Sequence, residues 1–247
     1  MNEALKKFQR YWEEYFKNSE PPVAAYYTDE TTIPENKVSK SHCLIADLNK
    51  VRNGTPLRFG ANSIGCPGGR RYAGFSDTIG KDFEYFLSCG IPDRLEGERY
   101  KKSPEIVRKM LKESPRYTAP KKYLVFKRWD QLTEDETPEI IIFFASPDVI
   151  SGLFTLANYD LIEDGVIAPF GSGCSSIIMH PYLEGEKPQP RCVYGMFDPS
   201  ARPYVAPNTL SFAVPVNRFS QIVENMPESF LITSTWKNIQ KRMPKNR

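Results

Sequence analysis

The sequence predicts a mixed α/β protein, and three observations carry that reading. Helical apolar spacing alternates along the chain with short β-branched and aromatic runs; one of those runs, Glu139 to Ala145, is apolar on both faces; and two cysteine-bearing segments share a common plan. A chain of 247 residues buries enough surface to build a core without covalent staples. With 40% hydrophobic and 26% charged residues, no segment has the composition of a disordered tract.

Leu5, Phe8, Trp12, Tyr15 and Phe16 recur at helical spacing, which predicts an amphipathic helix over residues 3–17 that ends before Pro21-Pro22. Val23 to Tyr27 reads as a strand, followed by a polar loop from Thr28 to Ser41. Cys43 to Asn53 favours a helix, with Gly54 placed for a left-handed cap. Thr55 to Ala61 reads as a strand leading into the corner Gly65-Cys66-Pro67-Gly68-Gly69-Arg70-Arg71. Helices follow at Asp82 to Cys89, closed by Gly90, and from Ser103-Pro104-Glu105 to Lys112, where serine suits the N-cap and proline the first helical position.

Tyr123 to Lys127 and Glu139 to Ala145 are strands, the second central in its sheet; Ser146-Pro147-Asp148 caps a helix to about Tyr159. Val166 to Ala168, Arg191 to Met196 and Leu210 to Val214 complete the strands. A helical segment opens at Gly171-Ser172-Gly173-Cys174 and runs to Leu183, and Asn217 to Asn225 and Ser234 to Arg242 form the last helices.

In both cysteine segments a cysteine opens a helix and glycine stands eleven residues on: Cys43 with Gly54, and Cys174 with Gly185. A strand then meets a second cysteine, Cys66 or Cys192. Ala46/Ile177, Leu48/Met179 and Val51/Tyr182 keep their apolar character, whereas Pro181 has no counterpart and should kink or end the second helix. The reading is of two related halves, 1–120 and 121–247, joined in one compact unit. A pseudo-two-fold axis would bring the two helix starts together, and with them four thiols. The alternative is two unrelated helices that share only a common glycine cap.

Other function classes are narrowed by composition. The longest apolar run is far short of the ~20 residues that cross a bilayer, and the first residues lack the apolar core of a signal peptide. The expectation is a cytoplasmic protein with no membrane partner. Five cysteines (Cys43, Cys66, Cys89, Cys174, Cys192) are then expected reduced. A net charge of +3 does not argue for nucleic acid; the basic tail of Lys237, Lys241, Arg242, Lys245 and Arg247 reads as a solvated helix end. Homo-oligomer formation is left open.

Cys66-Pro67-Gly68-Gly69 with Gly74, and later Cys192 and the segment Met196-Phe197-Asp198-Pro199-Ser200-Ala201-Arg202-Pro203, resemble an uncharacterised prokaryotic family catalogued as domain of unknown function 169. The resemblance runs over most of the chain, from Pro22-Val23-Ala24 to the final helix. It implies that Cys43, Cys66, Cys174 and Cys192 recur together, with Cys89 outside the pattern, and it implies no reaction.

Read as chemistry, those four cysteines are candidate ligands for a metal ion or iron–sulfur cluster in a redox-related role, although Cys-x-x-Cys knuckles and ferredoxin spacing are both missing. Packing as small hydrophobes is the competing account, strongest for Cys89. A second class is a small anionic ligand held without metal by the amides of Gly173 to Ser176, with Gly173 and Ser175 as contacts, and by Arg70 and Arg71. A third makes Cys174 a nucleophile, for which the only histidines available as a base are His42 and His180. Whether the protein is an enzyme is not decided by these residues.

Overall fold

A computed structural model describes residues 2–38 and 42–243. Its frame is one seven-stranded sheet in the order β2-β3-β1-β4-β7-β6-β5. The strands are β1 (Val23–Thr28), β2 (Leu57–Phe59), β3 (Tyr123–Arg128), β4 (Ile140–Ala145), β5 (Val166–Ile167), β6 (Cys192–Gly195) and β7 (Leu210–Pro215). Each neighbouring pair is antiparallel except β5 and β6. The helices are α1 (Asn2–Tyr15), α2 (Leu44–Arg52), α3 (Pro67–Tyr72), α4 (Phe83–Phe86), α5 (Pro104–Glu113), α6 (Pro147–Ala157), α7 (His180–Gly185), α8 (Val216–Asn225) and α9 (Ser234–Gln240). No described helix is long and apolar enough to cross a membrane.

β4 is central and every one of its residues is buried. Because side chains alternate across a strand, Ile141 and Phe143 enter one core and Ile140, Ile142 and Phe144 the other. The first core is closed by α1, α6, α8 and α9, through residues such as Trp12, Leu153, Phe219 and Trp236. The second is closed by α2 and by the helix that begins near Cys174, through Leu44, Leu48, Ile177 and Ile178.

The two halves repeat in strand order. Chain order runs first strand, cysteine-started helix, second strand, third strand: β1, α2, β2, β3, and then β4, the Cys174 helix, β6, β7. In space the sets read β2-β3-β1 and β6-β7-β4, abutting through the antiparallel pair of β1 and β4, where Ala24 faces Ile141. A two-fold axis normal to the sheet at that pair would exchange the sets and keep both helices on one face, which is where they lie. The sheet groups β3 with the first set, so its seam falls between β3 and β4, beyond a division at 120/121. The likeness stops short of the second cysteines. Cys66 caps α3 seven residues past β2, whereas Cys192 opens β6 itself.

Local signals hold closely at Cys43 and Gly54. Cys43 is the N-cap of α2, and Gly54 adopts φ +95° just past its end, a conformation that favours glycine. Ser103 caps α5, its side chain accepting from the amide of Ile106. The predicted helix from Asp82 to Cys89 begins as expected, with the Phe86 N–H donating to the carbonyl of Asp82, but shrinks to one turn at its far end, where the amides of Ser88 and Gly90 both turn back to the carbonyl of Tyr85. Lys245 and Arg247 lie outside the described residues.

On the α8 face, Arg218 is 2% exposed. Its guanidinium forks onto the carboxylate of Asp160, with Gln221 Oε1 at 2.8 Å and the carbonyl of Ala157 at 2.9 Å accepting as well. The hydrogen bonds from Arg218 hold the Asp160 carboxyl down to about 2, against the opposing pull of burial. Since the folded value lies below the ordinary one, the stabilisation is present above about pH 4 and is lost as pH falls through 2. Asp160→Asn is expected to cost about 1–2 kcal/mol near neutral pH, after discounting for the partial exposure of Asp160. Urea midpoints of the two proteins should converge as pH approaches 2.

Candidate functional site

The long connection from β2 to β3 carries α3, α4 and α5, and it builds a wall facing the ends of β5 and β6. Between wall and sheet lies a cavity of about 1200 Å³. Cys66, Gly68 and Tyr72 form part of its floor, Phe83, Phe86, Ile106 and Met110 line the wall, and Ser172, Ser175 and Ser176 with Phe197 and Asp198 line the opposite side. Four of the large hydrophobic side chains left exposed on the molecule belong to this one cavity: Phe86, Ile106, Phe170 and Phe197. Clustered exposed apolar groups mark a contact surface, whereas scattered ones do not. Lys101 Nζ sits 3.8 Å from the Phe170 ring centroid and ties wall to rim.

The inner side of the cavity is a helix that runs from Gly173 to Gly185 and widens to a π-helix over Ser175–Met179. Pro181 is expected from sequence to kink or end this helix, and the structure shows a third outcome. An interior proline has no N–H to donate and its ring crowds the carbonyl four residues back. Widening the turn ahead of it relieves that crowding, and the His180 N–H donates to Ser175 O, five residues earlier. The bulge presses Ser176 against β6: a β-carbon on Gly195 would stand 2.2 Å from Ser176 Oγ. Gly195 is thus required by the close approach of backbone and bulge.

Three of the four amides at the helix start already have partners. The Gly173 N–H donates to Asp198 Oδ2 at 3.3 Å, the Ser175 N–H to Ser172 Oγ at 3.2 Å, and the Ser176 N–H to the carbonyl of Ser172 at 3.2 Å. An outside anion seated here would have to displace the Asp198 carboxylate. Arg70 and Arg71 follow the other corner as the sequence indicates, yet neither lines the large cavity. Arg71 is buried beneath α3, where its Nη1 donates to the carbonyl of Asp77 at 2.7 Å.

The helix starts that carry Cys43, Cys66 and Cys174 meet at one corner. A β-carbon on Gly173 would touch Ile45 Cγ1 at 3.4 Å, and one on Gly69 would touch Leu44 Cβ at 3.7 Å, so the starts of α2, α3 and the π-bulged helix share one corner. Burial pushes the Cys174 thiol well up, and Cys66, Cys43 and Asp198 push it further. Burial also raises Cys43, partly offset by the amides of Ala46 and Ile45, with Cys66 adding to the rise. Cys192 does not join them: it points into the opposite core, and burial raises its thiol to about 12. The expected convergence of four thiols does not extend to Cys192, because the second cysteines are not equivalent in the repeat. Cys89 lies exposed and apart.

Among the described residues, no group of three or more His, Cys, Asp or Glu side chains is arranged to hold a metal ion. Cys174 is also poorly suited to nucleophilic attack, since a reactive cysteine needs a lowered thiol pKa. His180 lines the cavity, its pKa lowered by burial.

Asp198 joins the thiol corner to the helix start, and sequence reasoning did not single it out. Its signal lies in the Met196 to Pro203 segment, which carries the family resemblance without distinguishing one residue from another. Met179 and the rim aromatics Phe170 and Phe197 were also missed, because apolar residues near glycines read as ordinary packing.

Thiol labelling separates these environments. At pH 7 a maleimide should modify Cys89 first, leaving Cys174 and Cys192 unmodified until denaturant is added. Mass-spectrometric mapping of labelled peptides checks the order.

No curated protein and no solved structure matches the chain. The family model DUF169, described as Uncharacterised ArCR, matches residues 13–225. That span takes in the whole sheet, the π-bulged helix and all five cysteines, and the chain belongs to this uncharacterised family.

Proposed function

We propose that this protein binds a small, mainly apolar molecule in the cavity between the α3–α5 wall and the π-bulged helix. The observation that carries the reading is the cavity itself, about 1200 Å³ in volume and rimmed by exposed Phe86, Ile106, Phe170 and Phe197. A concave apolar site with a few polar groups at fixed points is the usual form of a small-molecule site. Cys66, Ser172, Ser175 and Asp198 supply those points here. The tryptophans Trp12, Trp129 and Trp236 all sit in the opposite core, so an added probe is needed to report occupancy.

N-phenyl-naphthylamine, which is neutral and fluoresces in apolar surroundings, should brighten on mixing with the protein. Met110→Trp, which fills the wall side of the cavity, is expected to weaken the probe at least about 10-fold, the effect of about 1.4 kcal/mol of lost contact. No fluorescence gain with the wild type, or equal gain in the variant, would count against the cavity as a binding site.

A second reading is favoured by the thiol corner: a soft metal ion held by Cys43, Cys66 and Cys174. It draws support from the closeness of three cysteines, since thiolates select soft metals. Those side chains are not preset as a ligand group, so binding requires them to rotate and lose their protons. Iron, zinc and sulfide analysis of anaerobically purified protein tests it. Metal should fall in Cys43→Ser, Cys66→Ser and Cys174→Ser and stay constant in Cys89→Ser and Cys192→Ser; a metal-free wild type ends this reading.

A further inference from the structure

Among the described residues two arginines are buried, and they are buried in opposite ways. Arg218, 2% exposed, has Asp160 as a counterion. Arg71, 7% exposed, has none: Nη1 donates to a backbone carbonyl, and the buried Nη2 has no hydrogen-bond partner. A guanidinium taken out of water without an anion is costly, and such groups in folded proteins are ordinarily paired. The missing partner is therefore a property of the site that needs a physical cause.

The surroundings supply one. Arg71 lines a second, much smaller space of about 10 Å³, with Asp77, Arg116, Tyr117 and Met179 around it. Asp77 meets Arg71 through its carbonyl, and its carboxylate forms no ion pair with the guanidinium. A space of that size holds one water at most. Met179 and Pro115 line both this space and the large cavity, and of the two only the Met179 side chain is free to change its shape and open the boundary. Methionine is unbranched and adapts its shape readily, and Met179 stands on the widened turn of the π-helix. With the Met179 side chain swung aside, the large cavity ends at an unpaired positive charge.

We infer that the natural ligand is an amphipathic monoanion, an apolar body carrying a carboxylate or comparable acidic end, whose acidic end passes Met179 and pairs with Arg71. This inference rests on the cavity being a small-molecule site and names the class of molecule it takes. Of the anion contacts expected from sequence, it keeps Arg71 and leaves out Arg70 and the amides of Gly173 and Ser175, which Asp198 and Ser172 already occupy. The apolar body remains in the large cavity.

Dansyl-aminoundecanoic acid and its methyl ester share one apolar body and differ in charge. Fluorescence titration of the wild type should show the acid binding about 10-fold or more tightly than the ester, the contribution of a charge-assisted hydrogen bond. In Arg71→Met the acid should fall to the ester's affinity while the ester is unchanged, and Met179→Ala should strengthen the acid relative to the ester. If acid and ester bind the wild type equally, or if Arg71→Met leaves their ratio intact, the inference is overturned and the cavity reading stands. If neither probe binds the wild type, the cavity reading fails and this inference fails with it. Should Arg71→Met not fold, the wild-type comparison and Met179→Ala still decide the matter.

Discussion

The pairing of β1 with β4 is the constraint on which the architecture depends. Ile140 to Ala145 is buried on both faces, so neither side of the sheet centre can be left to water, and two helical layers are required. The antiparallel join at Ala24 and Ile141 then fixes how the two three-strand sets meet. Because both cysteine-started helices fall on one face, their N-terminal ends converge over the same part of the sheet. The thiol corner, the cavity floor and the burial of Arg71 all follow from that convergence.

The frame was legible in the sequence because its signals are local and strong. Helix caps at Cys43, Gly54 and Ser103, the doubly apolar strand at β4 and the cysteine-to-glycine spacing each report on a few neighbouring residues, and each is realised within a residue or two. The cavity was not legible. Its walls come from separated stretches of both halves of the chain, and although α4 and α5 are predicted as helices, nothing local in them tells which elements they face across a cavity. Spacing also misled where it compared unlike things. Gly54 to Cys66 and Gly185 to Cys192 are different lengths of chain, and the second cysteines land on opposite faces of the sheet.

Pro181 shows how a local rule can be right and its consequence wrong. The residue does disrupt the regular helix, but the disruption is absorbed as a π-bulge because the flanking elements hold the chain on course. Ile177 and Ile178 are buried against the sheet, and Ser176 Oγ is locked to the Gly173 carbonyl at 2.9 Å. Ending the helix would expose those isoleucines, at about 1.5–3 kcal/mol each. Widening one turn leaves them in place and costs only poorer hydrogen-bond geometry.

The same bulge gives Met179 its position. In a regular α-helix its side chain would be turned by the residue the π-turn inserts, and the boundary between the large cavity and the Arg71 space would fall on a different side chain. Gly195 completes the arrangement, since any β-carbon there would drive Ser176, and the turn that carries Met179, off the sheet. Proline, glycine and methionine thus act as one device: the first forces the bulge, the second admits it, and the third stands where it separates an apolar volume from a buried charge. A cavity built only to be filled would need none of the three, and packing alone would have favoured a regular helix with a small apolar residue at position 71. An arginine there, behind an adaptable side chain, is the feature on which the proposal of an anion-bearing ligand rests.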